Sequence, residues 1–566
     1  MKRQNKNYLY YDTRRVSSFR ELLKGCRELY GDKTLFIFKK NGEIIQKSHN
    51  EFSHDVDCFG TALMSLGLGE RHVALLSENS YEWLVTYFTV IASNGVFVPI
   101  DRDLTPEGVA NILKIGDVSM LVISSALAVK MKSVISDNSY IKDVIIIGKN
   151  DDPSFASFEA LIEKGDSLLK AGDKSYTSLA TDNEVLSSLV YTSGTTGIAK
   201  GVMLSEYNIV STAINALNSM HIHDSCLSVL PYHHTFEATT GILCYMHMGR
   251  VIYINENLRA LAVNMKNYKP CDMQCVPLVV ESIYKRIWAT AEEGHKDKIL
   301  KTLMNASRGL MKIGVDMRKT LFKSIHDSLG GNFTRFICGG AAVKPHICEF
   351  FEDIGIEVLT GYGITECSPL VCVNRDYFYD AYSCGVPIRN CSIKINNPNE
   401  NGEGEICVKG DNVMLGYYKN PVATAAAFED GWFLTGDIGK IDELGRLFIT
   451  GRKKNVIVLK NGKNVYPEEL ESYFDESPYI SEIIVFPVTD ADNAESMITA
   501  EVFPNQDKSA EYGKEKLEKL IRQEIDTVNS GLPMYKQIKR VQFRNQEFEK
   551  TTTRKIKRFA VVNGKN

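Results

Sequence analysis

The 566-residue sequence has few of the cysteine patterns that define specialised proteins. No C-x-x-C pair occurs among its 13 cysteines, and two of the closer pairs are Cys271 with Cys275 and Cys367 with Cys372. Disulfide-stabilised folds carry cysteines in a compact, regular framework, and this sequence has no such framework. We therefore expect reduced thiols in a cytoplasmic protein.

Long hydrophobic runs and an excess of positive charge are also missing. No stretch approaches the roughly 20 apolar residues that a membrane span requires, and residues 1–23 contain no apolar core of signal-peptide length. The formal net charge is −4, which gives no support to a nucleic-acid partner. We expect at most peripheral contact with a membrane and no contact with nucleic acid.

The overall composition is that of an ordinary folded protein. Hydrophobic residues make up 44% of the chain and charged residues 24%, which argues against disorder. A chain of 566 residues is too long for one hydrophobic core. Two or more domains are therefore predicted, one of them large.

Alternating strand-like and helix-like segments dominate the first 260 residues. The stretch VALLSENSYEWLVTYFTVIASNGVFVPID, Val73 to Asp101, has the pattern of a βαβ unit. A similar alternation follows from SMLVISSALAVKMKSVI to DVIIIG, and apolar segments recur from Cys226 to Pro231 and in RVIYINE. Several parallel strands covered by helices are predicted.

The pattern changes twice towards the C-terminus. From Asn396, turn residues and short strands predict an antiparallel hairpin region. After GRLFITGRKKN, strands such as SEIIVFPV are followed by one charged helix, SAEYGKEKLEKLIRQEIDTV. We place a domain boundary at Arg452, which gives a large domain over 1–451 and a small one over 452–566.

A loop rich in small and hydroxylated residues lies in SSLVYTSGTTGIAKGVML, Ser187 to Leu204. A buried strand is predicted over Val185 to Tyr191, and Ser205 is predicted to cap a helix beginning at Glu206. Glycines, hydroxyl groups and Lys200 form a concave donor surface that suits a polyphosphate. A Walker A loop is excluded by Ala199, and a turn without a ligand is the alternative.

Three further segments carry candidate binding groups. GYGITE is predicted to be a loop punctuated by glycine, in which Tyr362 offers a flat face for a base, Thr365 a hydroxyl group, and Glu366 a hard oxygen ligand for Mg²⁺. Asp437, next to a turn glycine, can accept hydrogen bonds from two vicinal hydroxyl groups. The CGGA loop allows backbone to approach a ring or an acyl chain. A tight turn with a solvated carboxylate is the alternative for Glu366, and an aspartate that caps a turn is the alternative for Asp437.

A histidine cluster gives a weaker signal. His233 and His234, with His221 and His223 nearby, match no zinc spacing, so a metal site there is not expected.

Seven motifs occur in one order along the chain: YTSGTTGIAKGV, LPYHHTFE, ICGGAAV, GYGITECSP, GWFLTGDIGKID, GRKKNVIVLKNGKNVYPEELE and KTTTRKIKR. This series resembles the adenylate-forming (AMP-binding, ANL) superfamily, from about Glu51 onward. The resemblance implies an α/β fold with a large N-terminal domain of two mostly parallel, helix-flanked sheets plus a small β-barrel. A small α+β C-terminal domain would rotate on a hinge at Lys454.

The resemblance also implies roles for individual residues. The phosphate loop and its flanks would comprise Thr192, Ser193, Gly194, Thr195, Thr196, Gly197 and Lys200. The nucleotide pocket would be formed by Gly339, Gly340, Ala341, Gly361, Tyr362, Gly363 and Thr365. Glu366 would bind the metal, and Asp437 with Arg452 would hold the ribose of ATP. His234 would lie beside the acyl carboxylate.

Lys555 matches the lysine that bridges the substrate carboxylate and the α-phosphate. A cation there would stabilise charge developing at the phosphorus. The residue before it is Arg554 where the family usually has glycine, which puts the loop geometry in question. For any one of these cations, including Lys550, Lys557 and Arg558, a solvated basic tail is the alternative.

The implied activity is that of a ligase resembling bacterial long-chain fatty acyl-CoA synthetases. It would use ATP and Mg²⁺ to activate a medium- to long-chain fatty acid and then transfer the acyl group to coenzyme A. An acyl carrier protein as acceptor, or an acyl-AMP ligase, is the alternative. A luciferase-like oxidoreductase ranks lower. A non-catalytic nucleotide sensor is disfavoured because Lys200, Glu366, Asp437 and Lys555 are all present.

Overall fold

The computed structural model describes residues 6–192, 200–458, 464–475, 477–489, 496–550, 556–558 and 561. The chain divides into two compact units. Unit 1 comprises residues 1–392 and 408–433, and unit 2 comprises residues 393–407 and 434–566. The domain boundary that the sequence analysis places at Arg452 remains a prediction.

The strands are between two and ten residues long. In chain order they are β1 Thr34–Lys40, β2 Glu43–Ser48, β3 His72–Leu76, β4 Val96–Pro99, β5 Val118–Ser124, β6 Asp143–Ile147, β7 Ala156–Ser157, β8 Leu186–Thr192, β9 Lys200–Ser205, β10 Ser225–Ser228, β11 Val251–Ile254, β12 Asp272–Cys275, β13 Arg335–Cys338, β14 Glu357–Gly363, β15 Leu370–Val373, β16 Val386–Pro387, β17 Cys391–Asn396, β18 Gly404–Gly410, β19 Gly416–Tyr417, β20 Phe428–Glu429, β21 Trp432–Ile441, β22 Leu447–Arg452, β23 Ile457–Val458, β24 Asn464–Val465, β25 Ile480–Thr489, β26 Ser496–Pro504 and β27 Arg540–Phe543.

The α-helices range from a single turn to 17 residues. In chain order they are α1 Phe19–Tyr30, α2 His49–Met64, α3 Tyr81–Ile91, α4 Pro106–Ile115, α5 Ser125–Lys130, α6 Lys132–Asp137, α7 Phe158–Lys170, α8 Glu206–Leu217, α9 Cys244–His247, α10 Leu261–Tyr268, α11 Pro277–Glu293, α12 Asp297–Lys312, α13 Arg318–Leu321, α14 Lys323–Ser328, α15 Pro345–Ile354, α16 Pro421–Ala426, α17 Pro467–Ser472, α18 Gln506–Tyr512 and α19 Lys514–Ser530.

Two large sheets organise unit 1. One has nine strands in the order β16-β15-β14-β13-β12-β10-β11-β1-β2, and the other has eight in the order β19-β9-β8-β4-β3-β5-β6-β7. The central pairs β10–β11, β12–β13, β3–β4 and β5–β6 are all parallel. The predicted class, parallel sheets flanked by helices, is confirmed.

The predicted βαβ unit is β3, α3 and β4. Ser80 caps α3 by accepting a hydrogen bond from the Trp83 backbone N–H, and every residue of the helix is buried. Trp83 contacts Phe97 of one sheet, whereas Tyr81 stacks on Phe38 of the other. A helix that is apolar on all sides is expected where both faces meet other elements, as they do here.

The remaining sheets are smaller. Five of the six strands between 391 and 452 form one sheet in the order β17-β18-β21-β20 with β22 beside β21, and the sixth, β19, pairs with β9. A three-stranded sheet, β25-β26-β27, and a two-stranded ribbon, β23-β24, belong to unit 2.

One helix prediction needs correction. The single charged helix expected over Ser509–Val528 is two helices, α18 and α19, separated by Gly513. Gly513 has φ of 80° and ψ of 150°, a conformation that glycine adopts readily and that ends the helix.

The cysteines are not joined to one another. None of the 13, all of which lie in the described residues, forms a disulfide. Among the residues that the structure describes, no helix has the length and apolar character needed to cross a membrane.

Candidate active site

The ends of the phosphate-loop motif are fixed by a β-hairpin. Thr192, the last residue of β8, pairs with Lys200, the first residue of β9, across an antiparallel ladder. Ser205 ends β9 and caps α8 in a reciprocal capping box with Asn208, as predicted. The loop residues themselves lie outside the described part of the chain: Ser193, Gly194, Thr195, Thr196 and Gly197.

Lys200 and Glu366 are linked through an aromatic residue. The Lys200 ammonium group lies 4.7 Å from the ring centroid of Tyr417, and the Tyr417 hydroxyl group donates to Glu366 Oε1 at 2.9 Å. Burial and the Glu366 carboxylate raise the pKa of Tyr417, so the hydroxyl group stays a donor. The ammonium group on the ring face is a cation–π arrangement.

Backbone pairing holds this group in place. β19 pairs with β9, with Tyr417 opposite Val202, and the Met414 N–H donates to the Glu366 carbonyl at 2.8 Å. The phosphate-loop hairpin, the GYGITE motif and the segment around Tyr417 are therefore one connected structure. A hard carboxylate, a cation and the mouth of a glycine-rich loop are brought together, as a metal–polyphosphate ligand requires.

The GYGITE motif corrects one expectation. Gly361, Tyr362 and Gly363 belong to β14 rather than to a loop, and they pair with β15. Space explains the two glycines, since a Cβ on Gly361 would lie 3.0 Å from the Cys372 carbonyl oxygen and a Cβ on Gly363 would lie 2.2 Å from that of Pro369. Tyr362 is 6% exposed, and Thr365 begins a short 3₁₀ turn.

The CGGA loop and the LPYHHTFE motif are in contact. The Phe236 ring lies so close that a Cβ on Gly339 would be 3.1 Å from it, and Gly340 has φ of 85°. Phe236 begins a π-helix, Phe236–Leu243, which the sequence analysis missed. Wide helical turns of this kind occur frequently at functional sites. Ala341 follows in the same turn.

The paired histidines precede the π-helix. The rings of His233 and His234 are 4.3 Å apart, and His233 Nε2 lies 3.7 Å from Asp101 Oδ1. Burial, with the nearby His234 and Arg102, lowers the pKa of His233 well below its ordinary value. A neutral imidazole there can accept or donate one hydrogen bond at each ring nitrogen.

The two other histidines have structural partners. His221 stacks on Tyr11 with centroids 3.8 Å apart, and His223 Nδ1 lies 2.6 Å from Asp272 Oδ1.

Unit 2 carries the proposed ribose pair. Asp437 in β21 and Arg452 in β22 are opposite one another, and Arg452 Nε lies 3.1 Å from Asp437 Oδ1. Asp437 is 4% exposed, and Gly436 before it has φ of 71°. Asp437 therefore sits within a long strand, whereas a turn was expected.

The basic tail is partly ion-paired in unit 2. Lys555 and Arg554 lie outside the described residues. Lys550 pairs with Glu482 and with Glu547, Lys557 with Glu549 at 3.8 Å, and Arg558 with Glu471. Burial raises the pKa of Glu471 to about 7, and Arg558 opposes this shift.

The hinge candidate has a distinctive environment. Lys454 lies in a 3₁₀ turn, Lys453–Asn455, directly after β22. Burial and the neighbouring Arg452 lower its pKa. Its role as a hinge remains a prediction.

Tyr417 is the principal residue that the sequence analysis missed. Its signal was the aromatic pair in MLGYYKN, placed in a segment that otherwise reads as turns. An aromatic pair followed by lysine does not reveal which distant carboxylate it meets.

Residues 25–418 match the AMP-binding enzyme family, and residues 454–563 match the AMP-binding enzyme C-terminal domain. The chain belongs to the AMP-binding enzymes. This confirms the superfamily resemblance drawn from the seven motifs.

Two curated relatives span most of the chain. The chain is 28% identical over 472 residues to long-chain-fatty-acid–CoA ligase 1 of Homo sapiens, covering 77% of this chain and 67% of that protein. It is 26% identical over 583 residues to the chloroplastic long-chain-fatty-acid–[acyl-carrier-protein] ligase AEE15 of Arabidopsis thaliana, covering 89% and 79%.

A solved structure confirms the fold. The anthranilate CoA ligase AuaEII in complex with anthranoyl-AMP superposes with a TM-score of 0.75 at 20% identity, covering 99% of this chain and 98% of that one.

Proposed function

We propose that this protein is an AMP-forming ligase that activates a medium- to long-chain fatty acid and transfers the acyl group to coenzyme A. The observation that carries the proposal is the Lys200–Tyr417–Glu366 group at the mouth of the phosphate-loop hairpin. Membership of the AMP-binding enzymes supports the use of a nucleotide by this chain.

The first step joins the acid to the nucleotide. A carboxylate oxygen of the fatty acid attacks the α-phosphorus of ATP, the bond from that phosphorus to the bridging oxygen breaks, and pyrophosphate leaves with the electron pair. Lys200 and the loop donors would neutralise charge on the phosphates, and Lys555 would reduce repulsion between the two anions. Glu366 would hold Mg²⁺, which supplies further charge neutralisation at the phosphates.

The second step forms the thioester. The thiol of coenzyme A loses its proton and its sulfur attacks the acyl carbon, after which the bond from that carbon to the phosphate oxygen breaks and AMP leaves. The enzyme would contribute position and charge stabilisation rather than a covalent intermediate. Asp437 and Arg452 would hold the ribose, and His234 would position the acyl carboxylate.

The substrate class rests on the relatives. Both curated relatives described above are named as ligases of long-chain fatty acids. One is named for coenzyme A as the acceptor and the other for acyl carrier protein. Acyl carrier protein is therefore the second candidate acceptor. A cytoplasmic location remains part of the proposal.

The deciding experiment measures pyrophosphate release from MgATP with acids from acetate to palmitate, aryl acids and amino acids. Each acid is tested alone, with coenzyme A and with acyl carrier protein. Release that peaks with fatty acids and turns over repeatedly with coenzyme A supports the proposal. Turnover only with the carrier protein would identify acyl carrier protein as the acceptor. No pyrophosphate release with any acid would refute the ligase activity.

A matched pair of variants controls the assignment of Lys555. Lys555→Ala should lower adenylation by about 100-fold or more because it removes charge stabilisation at the reacting phosphorus. Lys557→Ala removes a neighbouring lysine that pairs with Glu549 at 3.8 Å, and it should leave the rate nearly unchanged. Equal effects on the adenylation rate in both variants would show that Lys555 acts only as one cation of a solvated basic tail.

A further inference from the structure

Three potential metal ligands converge on the surface of unit 1, in a region that the proposed reaction does not use. His54 and Cys58 lie one turn apart on α2, and Asp166 lies on α7. His54 Nε2 is 3.1 Å from Asp166 Oδ1 and 3.4 Å from Cys58 Sγ. All three ligand atoms lie within 4.8 Å of one another.

Close packing between α2 and α7 holds these three side chains near one another. Gly165 of α7 lies so close to α2 that a Cβ there would be 1.8 Å from the Cys58 carbonyl oxygen. The rings of Phe59 and Phe158 are 4.5 Å apart and join the same two helices. The positions of the three ligands are therefore set by backbone contact, and little rearrangement is needed to bring them together.

Two of the three ligand separations are close to the edge length of a tetrahedral zinc site, and the third is at most 4.8 Å. Zinc–nitrogen and zinc–oxygen bonds of about 2.0–2.2 Å and a zinc–sulfur bond of about 2.3 Å place tetrahedral ligand atoms about 3.3–3.6 Å apart. The two measured separations, 3.1 and 3.4 Å, are close to this range.

One nitrogen, His54 Nε2, faces both the Asp166 carboxylate and the Cys58 thiol. A cation between the three atoms would contact all of them.

The surroundings leave one carboxylate oxygen and one exposed side of the cluster for a metal ion. Lys170 Nζ lies 2.5 Å from Asp166 Oδ2, the oxygen that does not face His54, so the lysine orients the carboxylate without covering Oδ1. His54 is half-exposed, which leaves room for a water molecule as a fourth ligand.

We propose that His54, Cys58 and Asp166 bind a divalent cation of the zinc type, with water as the fourth ligand, and that the ion fastens α2 to α7. On binding, the Cys58 S–H bond breaks, a sulfur–metal bond forms, and the proton passes to solvent. A sulfur, nitrogen and oxygen ligand set selects zinc over magnesium, so this site is distinct in chemistry from Glu366.

The test is a titration of the reduced, metal-stripped full-length protein with Co²⁺. The wild-type protein should take up one equivalent with a thiolate-to-cobalt band in the near ultraviolet, and Zn²⁺ should abolish the band. Cys58→Ser should lose the band, whereas Cys271→Ser, which changes a half-buried thiol outside the cluster, should keep it. A band that survives in Cys58→Ser, or no band in the wild-type protein, overturns the proposal.

A second pair of variants guards against misfolding of Cys58→Ser. His54 is half-exposed, so His54→Ala should fold, as circular dichroism will show, and should weaken Zn²⁺ binding at least about tenfold. Lys170→Ala removes a competing cation and should bind Zn²⁺ at least as tightly as the wild-type protein. Zn²⁺ should raise the melting temperature of the wild-type protein and not that of His54→Ala; an equal rise in both contradicts the site.

Discussion

Tyr417 donates a 2.9 Å hydrogen bond to Glu366 Oε1 while its ring faces the Lys200 ammonium group. One residue thus orders a metal-binding candidate and a phosphate-binding candidate at once. Tyr417→Phe keeps the ring and removes the hydrogen bond. A hydrogen bond to a charged group contributes about 1.5–3 kcal/mol, so kcat/KM for MgATP should fall about tenfold or more.

The measurement is the initial rate of pyrophosphate release while Mg²⁺ is varied. The matched control is Tyr418→Phe, because the Tyr418 hydroxyl group also donates to a carboxylate, at 2.5 Å, but its acceptor is Asp117, to which no metal role is assigned. The control should stay within about twofold of the wild-type rate, as expected for an exposed polar pair. Equal Mg²⁺ dependence in Tyr417→Phe and the wild-type protein would show that the Tyr417 hydrogen bond does not position Glu366 for the metal.

The Asp437–Arg452 pair predicts selectivity for the sugar of the nucleotide. A site built to bind hydroxyl groups rejects an analogue that lacks one, because its buried polar group is then left unpaired. The wild-type protein should prefer ATP to 2′-deoxy-ATP or 3′-deoxy-ATP by at least about tenfold. Asp437→Asn should use ATP poorly and lose most of that preference, as competition between the nucleotides will show.

Asp442→Asn serves as the control for Asp437. Asp442 follows the same strand, β21, and pairs with Arg446 at 2.7 Å, and no role in ribose binding is assigned to it. Its nucleotide preference should equal that of the wild-type protein. If Asp437→Asn also keeps the full preference, the ribose assignment is wrong.

The local features of the site could be predicted from the sequence, and its long-range contacts could not. Ser205 was identified as a helix cap because its side chain acts on the residues that follow it, and the structure shows that bond to Asn208. The contact of Tyr417 with Glu366 joins residues 51 positions apart. Nothing in the periodicity of either segment specifies that distance.

Two errors in the secondary structure predicted from the sequence involve glycine. A glycine-rich motif was interpreted as a loop at Gly361–Gly363, but these residues are strand, since the glycines there make room for the backbone of β15. At Gly513 the same residue type ends a helix through a positive φ, and the predicted helix is divided. Sequence shows where glycine occurs; only packing shows which of its properties is used.

Gly363 gives a prediction on stability and binding together. A Cβ on Gly363 would lie 2.2 Å from the Pro369 carbonyl oxygen, so Gly363→Ala must shift backbone. The expected loss is about 1–3 kcal/mol in the free energy of unfolding, with weaker ATP binding because Tyr362 is adjacent. Urea unfolding and ATP titration measure the two effects.

Gly309→Ala is the matched control for this change. Gly309 lies within α12, and a Cβ there meets nothing within 4 Å. Alanine stabilises a helix interior by about 0.5–1 kcal/mol relative to glycine, so this variant should unfold at higher urea and bind ATP unchanged. A stable Gly363→Ala protein with unchanged binding would show that β14 and β15 tolerate separation there.

Glu237, in the π-helix beside the paired histidines, predicts how stability depends on pH. It is 1% exposed, and burial raises the pKa of its carboxyl group from 4.5 to about 8. The folded state therefore holds a proton between pH 4.5 and about 8 that the unfolded state has released. Stability from this group is complete below pH 4.5 and is lost as the pH rises to about 8, with a slope of up to about 1.4 kcal/mol per pH unit.

Glu237→Gln isolates this contribution, because a neutral amide has nothing to release. Glu206 and Glu471, whose pKa values burial raises to about 7, add the same sign of pH dependence in both proteins and cancel in the comparison. Urea unfolding of the two proteins from pH 5.5 to 9 should show the wild-type protein losing stability faster as the pH rises. Parallel curves would mean that Glu237 is ionised in the folded state and that a partner of positive charge reaches it.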